Sequence, residues 1–441
     1  MERAVPLSRR QFVRCGAGLA AAGLAAPYII PSGVLAFQGR LGANDKIGLA
    51  GIGVGRQGSA DMNHARGMKD VRIVAVADVS RPQAERVAGK LGALPYTDYR
   101  QLLDRKDVDA VITATPDHWR ALVCIHACQA GKDIYAEKPM SLTIREGRLM
   151  VQAVRKYGRV FQTGSQQRSM AANRFGCELI RNGRIGKIES VIGHNYPSPW
   201  ECSLPGQPVP DGLDWDMWCG PTEVVPYHPD LAAPRAQPGW ISFRPYSGGE
   251  MTGWGAHGLD QVQWALGMDD TGPVEVWTEG EPFRPPTYTR PESRARGDKE
   301  CSHPMIFYRY ANGVTLKLDH GNPGGAIFIG DKGRIEIFRN RVTSNPPELV
   351  KEPIRENEIH LDQSGDHMRN WLDCIKSREK PVADVEVGHR STTLCHLGNI
   401  ARWAGRPLRW DPVREEFVGD REANRYLDRP RRKPYTLPET V

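Results

Sequence analysis

Apolar positions fall into two rhythms along this chain. Between residues 45 and 140, short apolar runs alternate with longer stretches whose apolar residues recur at helical spacing. The runs Lys46–Ala50, Arg72–Ala77, Ala110–Thr115 and Asp133–Ala136 predict strands, the third closed by Pro116. The stretches from Ser59 to Met68, Pro82 to Leu91 and Trp119 to Ala130 predict helices, the last ended by Gly131. This alternation predicts an α/β domain with a parallel, doubly wound sheet. Near Gly164 the rhythm changes. Ile188–Tyr196, Val274–Thr278, Met305–Tyr310, Val314–Leu318, Ala326–Ile329 and Arg334–Phe338 predict strands, several separated by glycine-containing turns. They predict a second domain of mixed α+β type. Between Pro197 and Pro245 neither rhythm holds, and 11 of the 34 prolines and four of the 11 tryptophans fall there. A connection this long inside a compact domain is usually functional or disordered, and its tryptophans argue against disorder.

Composition adds little to the body and much to the ends. The chain has 441 residues, 40% hydrophobic and 25% charged, as expected of two folded domains. The net charge of +7 sits mostly in the first 40 residues and after Arg421, which leaves the body near neutral and excludes a nucleic-acid surface. The run Arg429–Lys433 reads as a surface-hugging tail. At the other end, Ser8-Arg9-Arg10-Gln11-Phe12-Val13 precedes an Ala/Gly-rich apolar stretch from Cys15 to Ala26 and the small residues around Val34–Ala36. That order reads as a twin-arginine (Tat) signal for export to the periplasm, too short and too weakly apolar for an integral membrane span. Such a route carries folded proteins, so a nucleotide cofactor would be loaded before export and held tightly. Of the nine cysteines, Cys15 lies in the signal and the other eight show no zinc spacing. Cys124 and Cys128 share a helix face as buried thiols, and no metal is expected.

The clearest chemistry is at Gly53-Val54-Gly55-Arg56-Gln57-Gly58, a G-x-G-x-x-G loop between the first strand and the first helix. Gly53 allows the tight turn, Gly55 lets backbone approach a pyrophosphate, and Gly58 lets helix and strand pack closely. The helix start, with Arg56 and Gln57, offers N–H donors to the phosphates. Asp78 follows Gly58 by 20 residues, where a carboxylate accepts from the adenosine ribose hydroxyls. It favours NAD; Arg81 nearby keeps NADP in view.

Further motifs carry a resemblance. They are Thr115-Pro116-Asp117-His118, Ala130-Gly131-Lys132 leading to Glu137-Lys138-Pro139, Gly164-Ser165-Gln166-Gln167-Arg168, Arg181-Asn182-Gly183-Arg184-Ile185-Gly186-Lys187, Gly248-Gly249-Glu250 running to His257, and Lys380-Pro381-Val382-Ala383-Asp384 before Gly388-His389-Arg390. With the glycine loop, they make residues 45–411 resemble the glucose–fructose oxidoreductase/inositol dehydrogenase (Gfo/Idh/MocA) family. The resemblance implies a Rossmann domain over 44–165 and a substrate domain with an open, mostly antiparallel sheet over 166–411, preceded by the signal at 1–40 and followed by a tail at 412–441. It implies hydride transfer between a ring carbon of a sugar, polyol or glycoside and a nicotinamide, with a homo-oligomer formed through the exposed sheet. The tail is a candidate arm in that assembly.

In such enzymes the residues matching Lys138 and His257 face the substrate. A histidine suits the base that takes the hydroxyl proton, and a lysine orients the oxygen and stabilises its developing charge. Thr115, Pro116, His118, Glu137 and Lys138 are expected at the cofactor; Gln167, Arg168, Tyr196, Trp254 and Asp260 at the substrate. Trp200, Trp215, Trp218 and Trp240 suit either stacking on a sugar ring or filling core under the long loop. His389, His396 and Asn399 read as structural. One departure stands out: the family often carries an acid four residues before its histidine, and Gly253 stands here, with Glu250 and Asp260 as candidate substitutes. Two other outcomes stay open. One is a redox-neutral cycle of oxidation, elimination, hydration and reduction whose net result is glycoside cleavage. The other is a non-catalytic sensor that keeps NAD as a structural element.

Overall fold

The computed structural model describes residues 45–233, 239–285, 287–289 and 303–441. The expected twin-arginine segment lies outside the described residues. Ile47–Val441 form one compact unit.

Six strands build the first sheet: β1 (Ile47–Ile52), β2 (Val71–Ala77), β3 (Leu94–Tyr96), β4 (Ala110–Thr113), β5 (Asp133–Ala136) and β6 (Phe161–Thr163). Their order is β3-β2-β1-β4-β5-β6, parallel throughout. Helices α1 (Arg56–Arg66), α2 (Arg81–Leu91), α3 (Asp117–Gln129) and α4 (Ile144–Lys156) connect and cover it. With helices on both faces, β1, β4 and β5 are buried at every position, which is why their sequences read as unbroken apolar runs. Strand order reverses between β1 and β4, and a crevice opens at their carboxyl ends. The short strands β3 and β6 left no such run to read.

The second half begins with α5 (Ala171–Arg181) and β7 (Ile188–His194), and continues through α6 (Trp215–Cys219), α7 (Gly255–Leu266) and β8 (Glu275–Glu279). Next come β9 (Met305–Arg309), β10 (Thr315–Asp319), β11 (Gly325–Gly330), β12 (Gly333–Phe338) and β13 (Arg341–Asn345). The chain then forms α8 (His367–Ser377), α9 (Val385–Ala404), β14 (Leu408–Asp411) and β15 (Glu416–Phe417). Nine strands form one sheet in the order β13-β12-β11-β7-β10-β9-β8-β14-β15. Among the described residues only β7 with β10 pairs in parallel within this sheet. Burial alternates along β9 and β10, so one face packs inward with Leu259, Val262 and Leu397 from α7 and α9. At outward positions of β8 and β9, Trp277 and Phe307 stack with ring centroids 5.3 Å apart.

Helix α9 joins the two halves. A Cβ on Gly388 would lie 2.0 Å from the Thr163 hydroxyl, and one on Gly147 would lie 2.4 Å from His389 Nδ1. Close approach there requires glycine. His389 contacts Glu415 at 2.6 Å, His396 Nε2 meets the Ser141 carbonyl at 3.1 Å, and Asn399 donates to the Gly248 carbonyl. These polar contacts hold α9 in place.

The Pro/Trp segment makes its own small core from Trp200, Trp215, Trp218, Leu231, Phe243, Tyr246 and Tyr288. Trp215 and Trp218 stack at 4.5 Å. The tail folds back on its own chain: Tyr435 packs edge-on against Trp119 at 5.1 Å, and Leu437 and Val441 pack against the Rossmann core. Cys124 and Cys128 are buried free thiols. Among the described residues no helix is long and apolar enough to cross a membrane.

Candidate active site

The crevice between β1 and β4 holds a cavity of about 620 Å³, lined by Gly53, Gly55, Arg56, Gln57, Asp78, Thr115, Pro116, Glu137 and Lys138 among others. That volume suits a small-molecule or cofactor site. Gly53 has φ +74°, and a Cβ on it would sit 2.8 Å from the Thr115 nitrogen. A Cβ on Gly58 would sit 2.2 Å from the Gly53 carbonyl oxygen, so Gly58 sets helix–strand contact and does not itself line the cavity. Gly55 has open space before it. No side chain caps α1, and its first turn holds no acid. Its first-turn amides therefore meet the crevice with a positive dipole end, as a pyrophosphate requires.

Asp78 directly follows β2, on the cavity wall. Its Oδ2 accepts from the Val54 N–H at 3.0 Å and its Oδ1 from the Ser80 N–H at 3.0 Å. The carboxylate thus holds the glycine loop in shape as well as lining the cavity. Burial pushes its pKa up, against those two N–H donors. Arg81 is not on the wall, and its N–H donates to the Gly212 carbonyl; Arg86 is on the wall instead.

At the far end of the cavity lies Lys138, half-buried. Its Nζ donates to the Gly253 carbonyl at 3.2 Å, joining the Rossmann half to the start of α7. Beneath it, Glu137 is buried and accepts from Gln166 Nε2 at 2.7 Å and from the Lys138 N–H at 3.2 Å. Asp61, on α1, is also buried, with Gln57 Nε2 donating to its Oδ1 at 2.9 Å. Burial raises both carboxyl pKa values, and Glu137 raises that of Asp61 further. Sequence reading missed Asp61, since nothing local distinguishes a buried helix carboxylate from a solvated one. It also missed Arg120, whose buried guanidinium pairs with Asp117 at 3.0 Å and donates to the Thr115 and Pro139 carbonyls. That side chain ties together the two loops that carry Pro116 and Lys138.

The substrate-facing expectations divide. Trp254 and His257 are half-buried on one face of the chain entering α7, their rings 6.0 Å apart. His257 stands one helical turn beyond Gly253, outside the cavity wall proper. The Arg339 guanidinium lies 5.0 Å from the Trp254 ring, carried there by a tight β12–β13 turn with Arg339 and Asn340 at positive φ.

Four other expected residues are committed elsewhere. Arg168 and Asp260 are buried and paired: Arg168 Nε lies 2.9 Å from Asp260 Oδ2, and Arg168 Nη2 lies 2.6 Å from Asp269. The Ser391 hydroxyl also donates to Asp260 at 2.6 Å. Tyr196 is a core residue whose oxygen accepts the Gly324 N–H at 2.8 Å. His118 is buried between Trp218 and Tyr246, with Nε2 on the Trp218 carbonyl at 2.9 Å; it is absent from the cavity wall. For Arg168, Asp260 and Tyr196 the core partners engage polar atoms that a ligand would need, and for His118 the Trp218 carbonyl engages Nε2. Gln167 is intermediate: it is buried, accepts from Asn173 at 3.0 Å, and packs beside Gly324 next to Trp254.

A roof covers the crevice. Leu213, Met217, Trp218, Trp240 and Ile241 of the Pro/Trp segment all line the cavity. The segment is pinned at both ends of the nucleotide site. The Arg81 N–H donates to the Gly212 carbonyl at 2.8 Å and the Asp214 N–H to the Val79 carbonyl at 3.0 Å, while Trp119 Nε1 donates to the Met217 carbonyl at 2.9 Å. The tryptophans thus fill core, and Trp218 and Trp240 present their remaining surface to the cavity.

Comparisons with known proteins agree with this geometry. Residues 46–165 match the model of an oxidoreductase family's NAD-binding Rossmann fold, and residues 184–437 match that family's C-terminal alpha/beta domain. The chain is 25% identical over 366 residues to a scyllo-inositol 2-dehydrogenase (NAD(+)) of Bacillus subtilis, covering 79% of this chain and 93% of that one. It is 31% identical over 159 residues to a 2,7-anhydro-N-acetylneuraminate hydratase of Mediterraneibacter gnavus, covering 36% of this chain and 41% of that one. The fold also matches the WlbA dehydrogenase of Bordetella pertussis in complex with NADH and UDP-GlcNAcA, with a TM-score of 0.58 at 18% identity, over 83% of this chain and 99% of that one. With both domains matched in order and the glycine loop, Asp78 and Lys138 gathered on one cavity, the chain is an NAD-binding member of the Gfo/Idh/MocA oxidoreductase family.

Proposed function

We propose that this protein moves a hydride between a ring CH–OH of a sugar or cyclitol and an NAD that stays bound through many turnovers. One observation carries this: the nucleotide cavity ends at Lys138, and Lys138 is tied to the segment bearing Trp254 and His257. NAD, when bound along the glycine loop and Asp78, supplies the hydride acceptor. The chain's own residues do the rest. Lys138 donates to the substrate oxygen and steadies its charge, and His257 takes the hydroxyl proton. The Trp254 ring offers an apolar face to a pyranose or cyclitol ring. The roof of Leu213, Met217, Trp218, Trp240 and Ile241 excludes water and slows release of the dinucleotide.

Retention suits an exported enzyme, and the paired Arg9 and Arg10 with the apolar stretch behind them support twin-arginine export to the periplasm. The outward Trp277–Phe307 pair supports a second copy docking on the nine-stranded sheet.

The hydratase relative favours a second reading, in which oxidation of the ring is followed by elimination, addition of water and reduction. One experiment separates the two. Purified protein is examined by absorbance before and after addition of sugars, cyclitols and glycosides. A lasting reduced-nicotinamide band supports net oxidation. Product from a glycoside with no lasting band supports the cycle. A protein that neither carries nor takes up NAD sinks both.

A further inference from the structure

Gly253 leaves a gap in the acid–histidine pairing expected of this family, and the structure shows what occupies it. A Cβ built on Gly253 would lie 3.2 Å from Glu250 Oε2 and 3.9 Å from its carboxyl carbon. It would also meet Ile241 Cδ1 at 3.3 Å. The carboxylate of Glu250 thus folds back into the volume where a side chain at 253 would begin. Positions 253 and 257 are one helical turn apart and so share a helix face. On the other side, the Gly253 carbonyl accepts from Lys138 Nζ. Glu250, Trp254 and His257 are all half-buried while Met251, Thr252, Gly253, Gly255 and Ala256 are buried. The chain here therefore turns one face outward, and that face carries the carboxylate, the indole and the imidazole.

Asp260, the other acid near enough in sequence, is locked to Arg168 and Ser391. From these placements we infer that Glu250 is the positioning acid of the site: its carboxylate acts from residue 250 in the space an acid at residue 253 would use, orienting His257 and sharing the field of Lys138. This rests on the reading of Lys138 and His257 as the substrate-facing pair. Gly253 follows as the complement of Glu250, since a Cβ there would crowd the carboxylate at 3.2 Å.

The other charged groups near this face are accounted for. Lys138 approaches from the loop after β5, with Glu137 and Asp61 beneath it. Asp117 is held by Arg120 at 3.0 Å and by the Ser247 hydroxyl at 2.8 Å. Arg339 lies over Trp254, and the Tyr196 hydroxyl behind the helix is engaged by Gly324. Glu250 is the carboxylate at Gly253 itself.

The test relocates the acid. Wild type, E250Q, E250A and the double variant E250A/G253D are compared as purified full-length protein. Three quantities are read: kcat and KM for the best substrate of the sugar panel, bound-NAD content, and the titration of the His257 imidazole by NMR. E250Q should lower kcat about a hundredfold, with KM and NAD content held within about twofold. It should also move the His257 titration to lower pH, because a neighbouring carboxylate favours the imidazolium. E250A/G253D should regain at least tenfold in kcat over E250A and return the titration towards wild type. E250Q with unchanged kcat and unchanged His257 titration overturns the inference, and so does a double variant no better than E250A on both readouts. The NMR titration needs no substrate, so it decides the role of Glu250 even if no sugar is oxidised.

Discussion

The two ends of the cavity were built by different rules. At the nucleotide end, the glycines and Asp78 sit within or next to one strand–loop–helix unit: Gly58 packs on Gly53, Asp78 accepts from Val54, and Gly53 is closed over by Thr115 after the neighbouring strand β4. At the substrate end, the side chains come from segments more than 100 residues apart, as when Lys138 reaches Gly253. A motif is read correctly when its physics is local. A polar residue near a site is read correctly only once its partners are known, and for Arg168, Asp260, Tyr196 and His118 those partners are core groups.

Replacing Lys138 should have the largest effect, because it stands where the two ends meet. Lys138→Met keeps the stem and removes the donor. The expected outcome is a loss of about a thousandfold in kcat/KM with bound NAD retained, since removing one preorganised donor costs about 10²–10³-fold and an aligned proton path about as much. Stopped-flow absorbance of the reduced nicotinamide, together with the NAD content of the purified variant, checks this. Loss of NAD with unaltered chemistry in cofactor-supplemented assays would instead assign Lys138 to the nucleotide end.

Arg168 offers the sharpest contrast with Lys138. Both are basic and both follow strands of the first sheet, but the sequence placed Lys138 at the reacting atoms and Arg168 only among candidates for substrate binding. Arg168 is 2% exposed and shares two carboxylates. Arg168→Ala leaves Asp260 buried without its cation, which should lower unfolding stability by about 3–5 kcal/mol. Thermal melts read that loss; a variant with wild-type melting and a raised KM would return Arg168 to the substrate. This pair shows where legibility ended. The alternation of strands and helices, the glycine loop and the Glu137-Lys138-Pro139 turn were readable because period and turn chemistry are properties of short windows. Asp61 and Arg120 were invisible because burial of a charge is decided by what packs over it from far along the chain. The prolines and tryptophans between 197 and 245 announced an unusual segment without saying that it roofs the cavity.

A pH scan addresses the same comparison. His118, His367 and His396 are buried, and burial lowers their pKa values from 6.5 to about 3, 4 and 4. The unfolded chain binds protons near pH 6.5 that the folded chain refuses. Stability from these groups is therefore complete above pH 6.5 and is lost as pH falls towards 3, by about 3–5 kcal/mol per histidine at the limit. Calorimetry across that window should show the melting temperature falling. The fall should be of similar size with and without added NAD, because His118 faces Trp218 and Tyr246 and not the cavity. A fall that NAD abolishes would put His118 back at the cofactor.

The smallest expected effect concerns the roof and the tail that clamps it. The Arg432 N–H donates to the Pro221 carbonyl at 2.9 Å, its Nε to the Gly220 carbonyl at 3.1 Å, and its Nη1 pairs with Asp216 at 2.8 Å. Those contacts seize α6, whose Met217 and Trp218 line the cavity. Upstream, Arg429 and Arg431 pair with the buried Glu146, so a cut before residue 429 would strand that charge and unfold more than the roof. Ending the chain at Arg431 keeps both pairs and removes the clamp on α6 together with the packing of Tyr435, Leu437 and Val441. Loss of a few exposed polar contacts and the Tyr435–Trp119 packing is worth about 1.4 kcal/mol, or about tenfold in the rate at which NAD leaves. Displacement of bound NADH by excess NAD, followed by fluorescence, measures that rate. A tenfold faster release at unchanged melting temperature makes the tail part of the nucleotide end of the molecule. An unchanged rate would confine it to the surface and leave the roof to hold the cofactor through Gly212, Asp214 and Met217 alone.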